Sequence, residues 1–120
     1  MTRSFLLDVH LGRPGQRLLQ AADSDLDVQR VGEQGCPAGD ASDNGILIWI
    51  EVHEFILITA DKLSMPDHLA AHLATGRHVR GIFTLREQRP SREVIDDIVL
   101  LAGAGFAFKY RDQIRYLPID

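Results

Sequence analysis

At 120 residues the chain has the length of one domain, and its ordinary apolar content allows a real hydrophobic core. No apolar run approaches the roughly 18 residues of a membrane span and no basic leader precedes a hydrophobic segment, so a cytoplasmic protein is expected, with no membrane partner. A net charge of −4 argues against a protein that coats nucleic acid electrostatically, and the single Cys36 excludes an internal disulfide and any multi-cysteine zinc module.

Phe5-Leu6-Leu7 is an apolar run closed by Asp8 and reads as a buried strand. Gly12-Arg13-Pro14 then opens a helix, with Pro14 in its first turn and Leu18, Leu19 and Ala22 as its apolar stripe. Leu26 to Val31 alternates apolar with polar residues, as expected of a strand at a sheet edge, and Gly32 to Asp40 is a loop with Gly35, Pro37 and Gly39 as breakers. Ser42 is a suitable N-cap for a second helix with Ile46, Leu47, Trp49 and Ile50 on one side. Phe55 to Ala60 is a second buried strand, followed at once by Asp61. Ser64-Met65-Pro66 starts a third helix with Leu69 and Leu73 inward, ended by Gly76. Gly81 to Leu85 is a fourth strand. Pro90 and Ser91 begin a fourth helix burying Val94, Ile95, Ile98, Leu101 and Ala102, and the tail from Phe106 to Leu117 supplies a weak edge strand. Regular alternation with short connections predicts one domain over 1–120. Its fold is an α/β three-layer sandwich, with helices on both faces of a mostly parallel sheet of four to five strands.

In such a sheet the loops after the strand C-termini gather at one edge. If the first strand lies between the second and third, Asp8 and Asp61 flank the topological switch point, where open sheets bind ligands. Each aspartate has a plainer reading as a turn cap, and Asp43, a third acid in the first turn of the second helix, is equally explained by the helix dipole. Together, three carboxylates without clustered cysteine suit a hard cation such as Mg²⁺ or Mn²⁺. Such an ion activates water and neutralises a phosphate under attack, so metal-assisted phosphodiester hydrolysis fits best.

These residues also carry a resemblance. Phe-Leu-Leu-Asp8-Val-His-Leu, Ala-Ser-Asp43-Asn-Gly-Ile-Leu and Ile-Leu-Ile-Thr59-Ala-Asp61-Lys resemble the corresponding stretches of the PIN-domain family. Within that family they resemble the small PIN-like proteins that are similar to VapC-type toxins. Met65-Pro66, the His68 to His72 helix and the ending Arg111 to Pro118 extend the likeness over nearly the whole chain. The resemblance implies a metal-dependent ribonuclease, often the toxin of a toxin–antitoxin pair silenced by a small antitoxin, with Asp8, Asp43 and Asp61 holding the metal and serving catalysis. Two departures stand out: Leu63-Ser64 occupies the place of a further acid after Asp61, and Asn44-Gly45 stands where the second helix often opens with more acid.

His10, Arg13 and Lys62 follow the strand ends and are candidates to meet RNA, with solvent exposure as the alternative. Asp67 and Ser64 are secondary candidates better explained as a first-turn acid and an N-cap. His68 and His72 have a zinc-like spacing but lack a third ligand. Arg77, His78, Arg80, Arg86, Arg89 and Arg92 form either an RNA track or a solvated rim. The competing function is a catalytically weak PIN-like protein that binds RNA or a protein partner, and a phosphoacceptor domain is disfavoured because no later strand ends in lysine. An apolar, tyrosine-bearing tail suits a homodimer.

Overall fold

The structure is a computed structural model that describes residues 4–8, 11–86, 91–103 and 109–118. Among the described residues, five strands and four helices alternate: β1 (Ser4–Leu7), α1 (Gly12–Ala22), β2 (Asp27–Arg30), α2 (Asp43–His53), β3 (Ile56–Thr59), α3 (Met65–Ala74), β4 (Ile82–Leu85), α4 (Arg92–Gly103) and β5 (Ile114–Leu117). The sheet is entirely parallel in the order β2-β1-β3-β4-β5. The central strands are buried on both faces, which is why β3 and β4 read as continuous apolar runs and not as alternating ones.

Two cores lie against the two faces of the sheet. Phe5, Leu7, Ile58 and Phe83 pack with Leu19 of α1 and with Val94, Ile95 and Ile98 of α4. Leu6, Leu57 and Ile82 pack with Leu47 and Ile50 of α2 and with Met65 and Leu69 of α3. Phe5 and Phe83 are fully buried, each contributing about 1.5–3 kcal/mol through apolar burial.

The predicted helix faces hold except in α1. There Leu19 is buried beside Gly15, whereas Leu18 is 49% exposed and Ala22 is exposed. Gly15 is the reason: a Cβ built there would stand 3.3 Å from Leu7, so α1 approaches the sheet along its glycine and rolls Leu18 outward. Ser42 caps α2 as expected, accepting from Gly45 N–H at 3.1 Å.

Chain direction and helix placement together yield one departure from the usual rule. The chain steps from β1 to β2 in one direction, with α1 on one face, then reverses and steps through β3 and β4 with α2 and α3 on the other face. Those three crossovers share one hand, as right-handed connections require. The step from β4 to β5 continues in the same direction as the previous two, yet α4 packs beside α1. The β4-α4-β5 step therefore has the opposite hand, and among the described residues no helix covers β5 on the α2/α3 face.

Candidate active site

Chain reversal places β1 between β2 and β3, so the switch point lies where β1 and β3 end. Asp8 follows β1 directly, and its N–H donates to the Ile58 carbonyl at 2.9 Å, fixing this residue to the end of β3. Thr59, the last residue of β3, is 1% exposed. Its hydroxyl donates to Asp8 Oδ2 at 2.5 Å and accepts from the Asp61 N–H at 3.1 Å. One buried hydroxyl thus ties the first carboxylate to the backbone of the third.

Asp61 is held by its own loop. Its Oδ1 accepts from the N–H groups of Leu63 at 3.1 Å and Ser64 at 3.0 Å, and its Oδ2 accepts from the Ser64 hydroxyl. The Ser64 hydroxyl chiefly, with these N–H groups and the nearby His68, holds the carboxyl below the usual aspartate range against an opposing effect of burial. The turn-cap reading of Asp61 is therefore correct as a description of its local bonding. Ser64 occupies the N-cap position of α3 as expected, but its hydroxyl is turned back to Asp61 and makes no capping hydrogen bond.

Asp43 enters from the first turn of α2. Its Oδ2 lies 3.0 Å from Nε2 of His68 on α3, both side chains being partly exposed. His68 and His72 do not converge on a common point. His72 is buried and places Nε2 3.1 Å from Glu51 Oε1 and 3.2 Å from the His78 carbonyl, so that nitrogen carries the proton. The two histidines join α3 to α2 at different heights, which accounts for their one-turn spacing without a metal.

Asp8, Asp43 and Asp61 all line one cleft of about 920 Å³, together with Thr59 and Lys62. Val31, Ile46, Leu57 and Met65 form its apolar wall, and Leu63 stands 93% exposed at its mouth. Lys62 Nζ donates to the Arg86 carbonyl. Asp67 and Arg13 are exposed on α3 and α1 and do not line the cleft, and His10 lies outside the described residues. Arg77, His78 and Arg80 precede β4 and so lie at the opposite sheet edge. There Arg77 pairs with Glu51, His78 with Asp112 and Arg80 with Glu54, while Arg89 is outside the described residues.

Among the described residues, no group of three or more His, Cys, Asp or Glu side chains is gathered closely enough to hold a metal ion. The three aspartates thus share a cleft while each accepts from, or pairs with, a side chain of the protein. Sequence reasoning assigned no role to Thr59, although its place two residues before Asp61 was the available signal. The His68–Asp43 pair had no such signal, because it depends on how α2 and α3 meet. Comparison of the chain with protein-family models, with curated proteins and with solved structures gave no match.

Proposed function

We propose that this protein is a metal-dependent ribonuclease in which Asp8, Asp43 and Asp61 hold one Mg²⁺ or Mn²⁺ beside an RNA phosphodiester. The observation that carries the reading is the delivery of carboxylates from three separate elements into one cleft at the switch point. The donors fit a hard cation in kind, being carboxylate and hydroxyl oxygens with no thiolate among them. When bound, such an ion supplies a water of lowered pKa and a counter-charge for the phosphate. The chain's own residues do the positioning: Thr59 orients Asp8, Ser64 and the Leu63 N–H keep Asp61 ionised, and Lys62 gives the cleft a cation for a phosphate oxygen. A small protein seated over the cleft would block it, as an antitoxin blocks a toxin in a paired system of the kind the PIN-like resemblance implies.

Asp8→Asn should lower Mn²⁺-dependent cleavage of a fluorophore–quencher single-stranded RNA by about 100-fold or more, since even second-shell changes at metal sites cost about 10–100-fold. The melting temperature should stay within a few degrees. Undiminished cleavage by both Asp8→Asn and Asp61→Asn would refute the assignment.

One observation favours a second reading, a protein that binds RNA or a partner with little catalysis: each of the three carboxylates already has a protein donor or pairing partner. Calorimetric titration with Mn²⁺ separates the two. Absence of binding at millimolar Mn²⁺ selects the binder.

A further inference from the structure

The opposite hand of the β4-α4-β5 connection has a consequence for the cleft. Had α4 followed the same hand as its predecessors, it would cover β5 on the α2/α3 face. Instead that face of β5 carries Tyr116, 42% exposed, with the Arg86 guanidinium 5.5 Å from the centre of its ring. The register places the open face beside the aspartates. Asp8 stands one step past the Leu7–Ile58 pair, level with Thr59, while Thr59 is level with Thr84 and Thr84 with Tyr116. Asp8, Thr59, Thr84 and Tyr116 thus form one row across four strands. Three interstrand spacings of about 4.8 Å put Tyr116 roughly 14 Å from Asp8.

Two further observations mark the row as more than a sheet margin. Thr84, 1% exposed, has the only buried hydroxyl among the described residues without a hydrogen-bond partner. Buried polar groups normally find one. Lys62 reaches from the loop after β3 across the end of β4 to the Arg86 carbonyl, so two cations span the ground between the aspartates and Tyr116. In a protein of net charge −4, a cation-bearing strip ending in an exposed aromatic ring is complementary to a single strand of nucleic acid. The phosphates meet the cations, and an unstacked base lies on the ring.

We infer that single-stranded RNA leaves the acidic cleft along the ends of β4 and β5, with a phosphate on Lys62 and Arg86 and a base stacked on Tyr116. This rests on the ribonuclease reading for the identity of the strand, but binding along the row does not require catalysis.

The test is fluorescence anisotropy of the full chain with a labelled oligouridylate, in EDTA so that nothing is cleaved. Tyr116→Ala should weaken binding about tenfold, within the usual range for loss of one base–aromatic stack, and Tyr116→Phe should bind as the parent does. Arg86→Gln should flatten the dependence of log affinity on log salt by about 0.7, the value of one single-strand phosphate contact. Circular dichroism confirms the fold of each variant. Affinity unchanged in both Tyr116→Ala and Arg86→Gln overturns the track, as does failure of the parent to bind the strand at low salt. The ribonuclease reading fails separately: a parent that binds RNA and loses affinity in these variants, yet cleaves nothing with Mn²⁺, keeps the track and loses the nuclease.

Discussion

Two threonines at the same register on adjacent strands provide a matched pair. Thr59 and Thr84 are both about 1% exposed and are neighbours in the β3–β4 ladder. They differ in their partners: the Thr59 hydroxyl donates to Asp8 and accepts from the Asp61 N–H, whereas the Thr84 hydroxyl has none. Replacing either by valine keeps the shape and removes only the hydroxyl. At Thr59 the change deletes a hydrogen bond to a charged group, which contributes about 1.5–3 kcal/mol, and strands the Asp61 N–H. Water reaches the half-buried Asp8 and offsets part of that loss, so a net cost of about 2 kcal/mol is expected. With an unfolding entropy of about 2.1 cal/mol/K per residue, the whole chain has about 0.25 kcal/mol/K, and Thr59→Val should lower the melting temperature by about 8 °C. At Thr84 the same change relieves a buried hydroxyl without a partner and should be neutral or stabilising by up to about 1 kcal/mol, or some 4 °C upward. Differential scanning calorimetry on the two variants reads the contrast directly. Shifts of the same sign and size at both positions would refute the hydrogen-bond assignment.

His72→Ala should cost about 3 kcal/mol by urea denaturation with an unchanged slope, because it empties a buried site and removes the donor that Glu51 and the His78 carbonyl share. A loss under about 1 kcal/mol would mean that the joint between α2 and α3 does not depend on it. Acid should destabilise the fold through Asp61, Glu51 and Asp112. Burial opposes the shift in Glu51, but the His78 N–H, Arg77 and His72 outweigh it, and in Asp112 the Val79 N–H and His78 do the same. A carboxyl with its folded pKa below the unfolded value contributes stability that is complete above the unfolded value, near 4, and is lost as pH falls through the folded one. The urea midpoint should accordingly fall as pH drops below about 4. A midpoint that does not move down to pH 3 would contradict these partners.

The legibility of the chain divides by the range of the interactions involved. Element positions were readable because they rest on local signals: the apolar runs ending at Asp8 and Asp61, the Ser42 cap and the heptad-like burial from Val94 to Ala102. The central place of β1 was readable from the rules of parallel sheets. The side of the sheet that α4 occupies was not, since its apolar stripe would pack equally well against either face, and the usual hand of crossovers pointed to the other one. Within the site, the sequence placed the three acids but not what holds them. Asp61 bonds to residues two and three positions on, a local pattern, while Asp8 depends on Thr59 and Asp43 on His68, contacts that exist only once strands and helices are assembled.

Whether those contacts oppose a cation is a question of magnitude. The Asp43–His68 pair is partly exposed on both sides, and exposed pairs contribute about 0–1 kcal/mol, so releasing Asp43 costs little beside the binding of a divalent ion. A carboxylate offers about four acceptor positions, and the three bonds on Asp61 leave room for one more ligand contact. Hydrogen bonds satisfy lone pairs without cancelling charge, so three carboxylates in one cleft still repel one another across a medium less polar than water. Lys62, the cation lining the same cleft, has its ammonium directed to the Arg86 carbonyl and not to an aspartate. These partners orient the acids, Thr59 at Asp8, His68 at Asp43 and Ser64 at Asp61, and each contact is small beside the free energy with which a divalent ion of the proposed kind would bind.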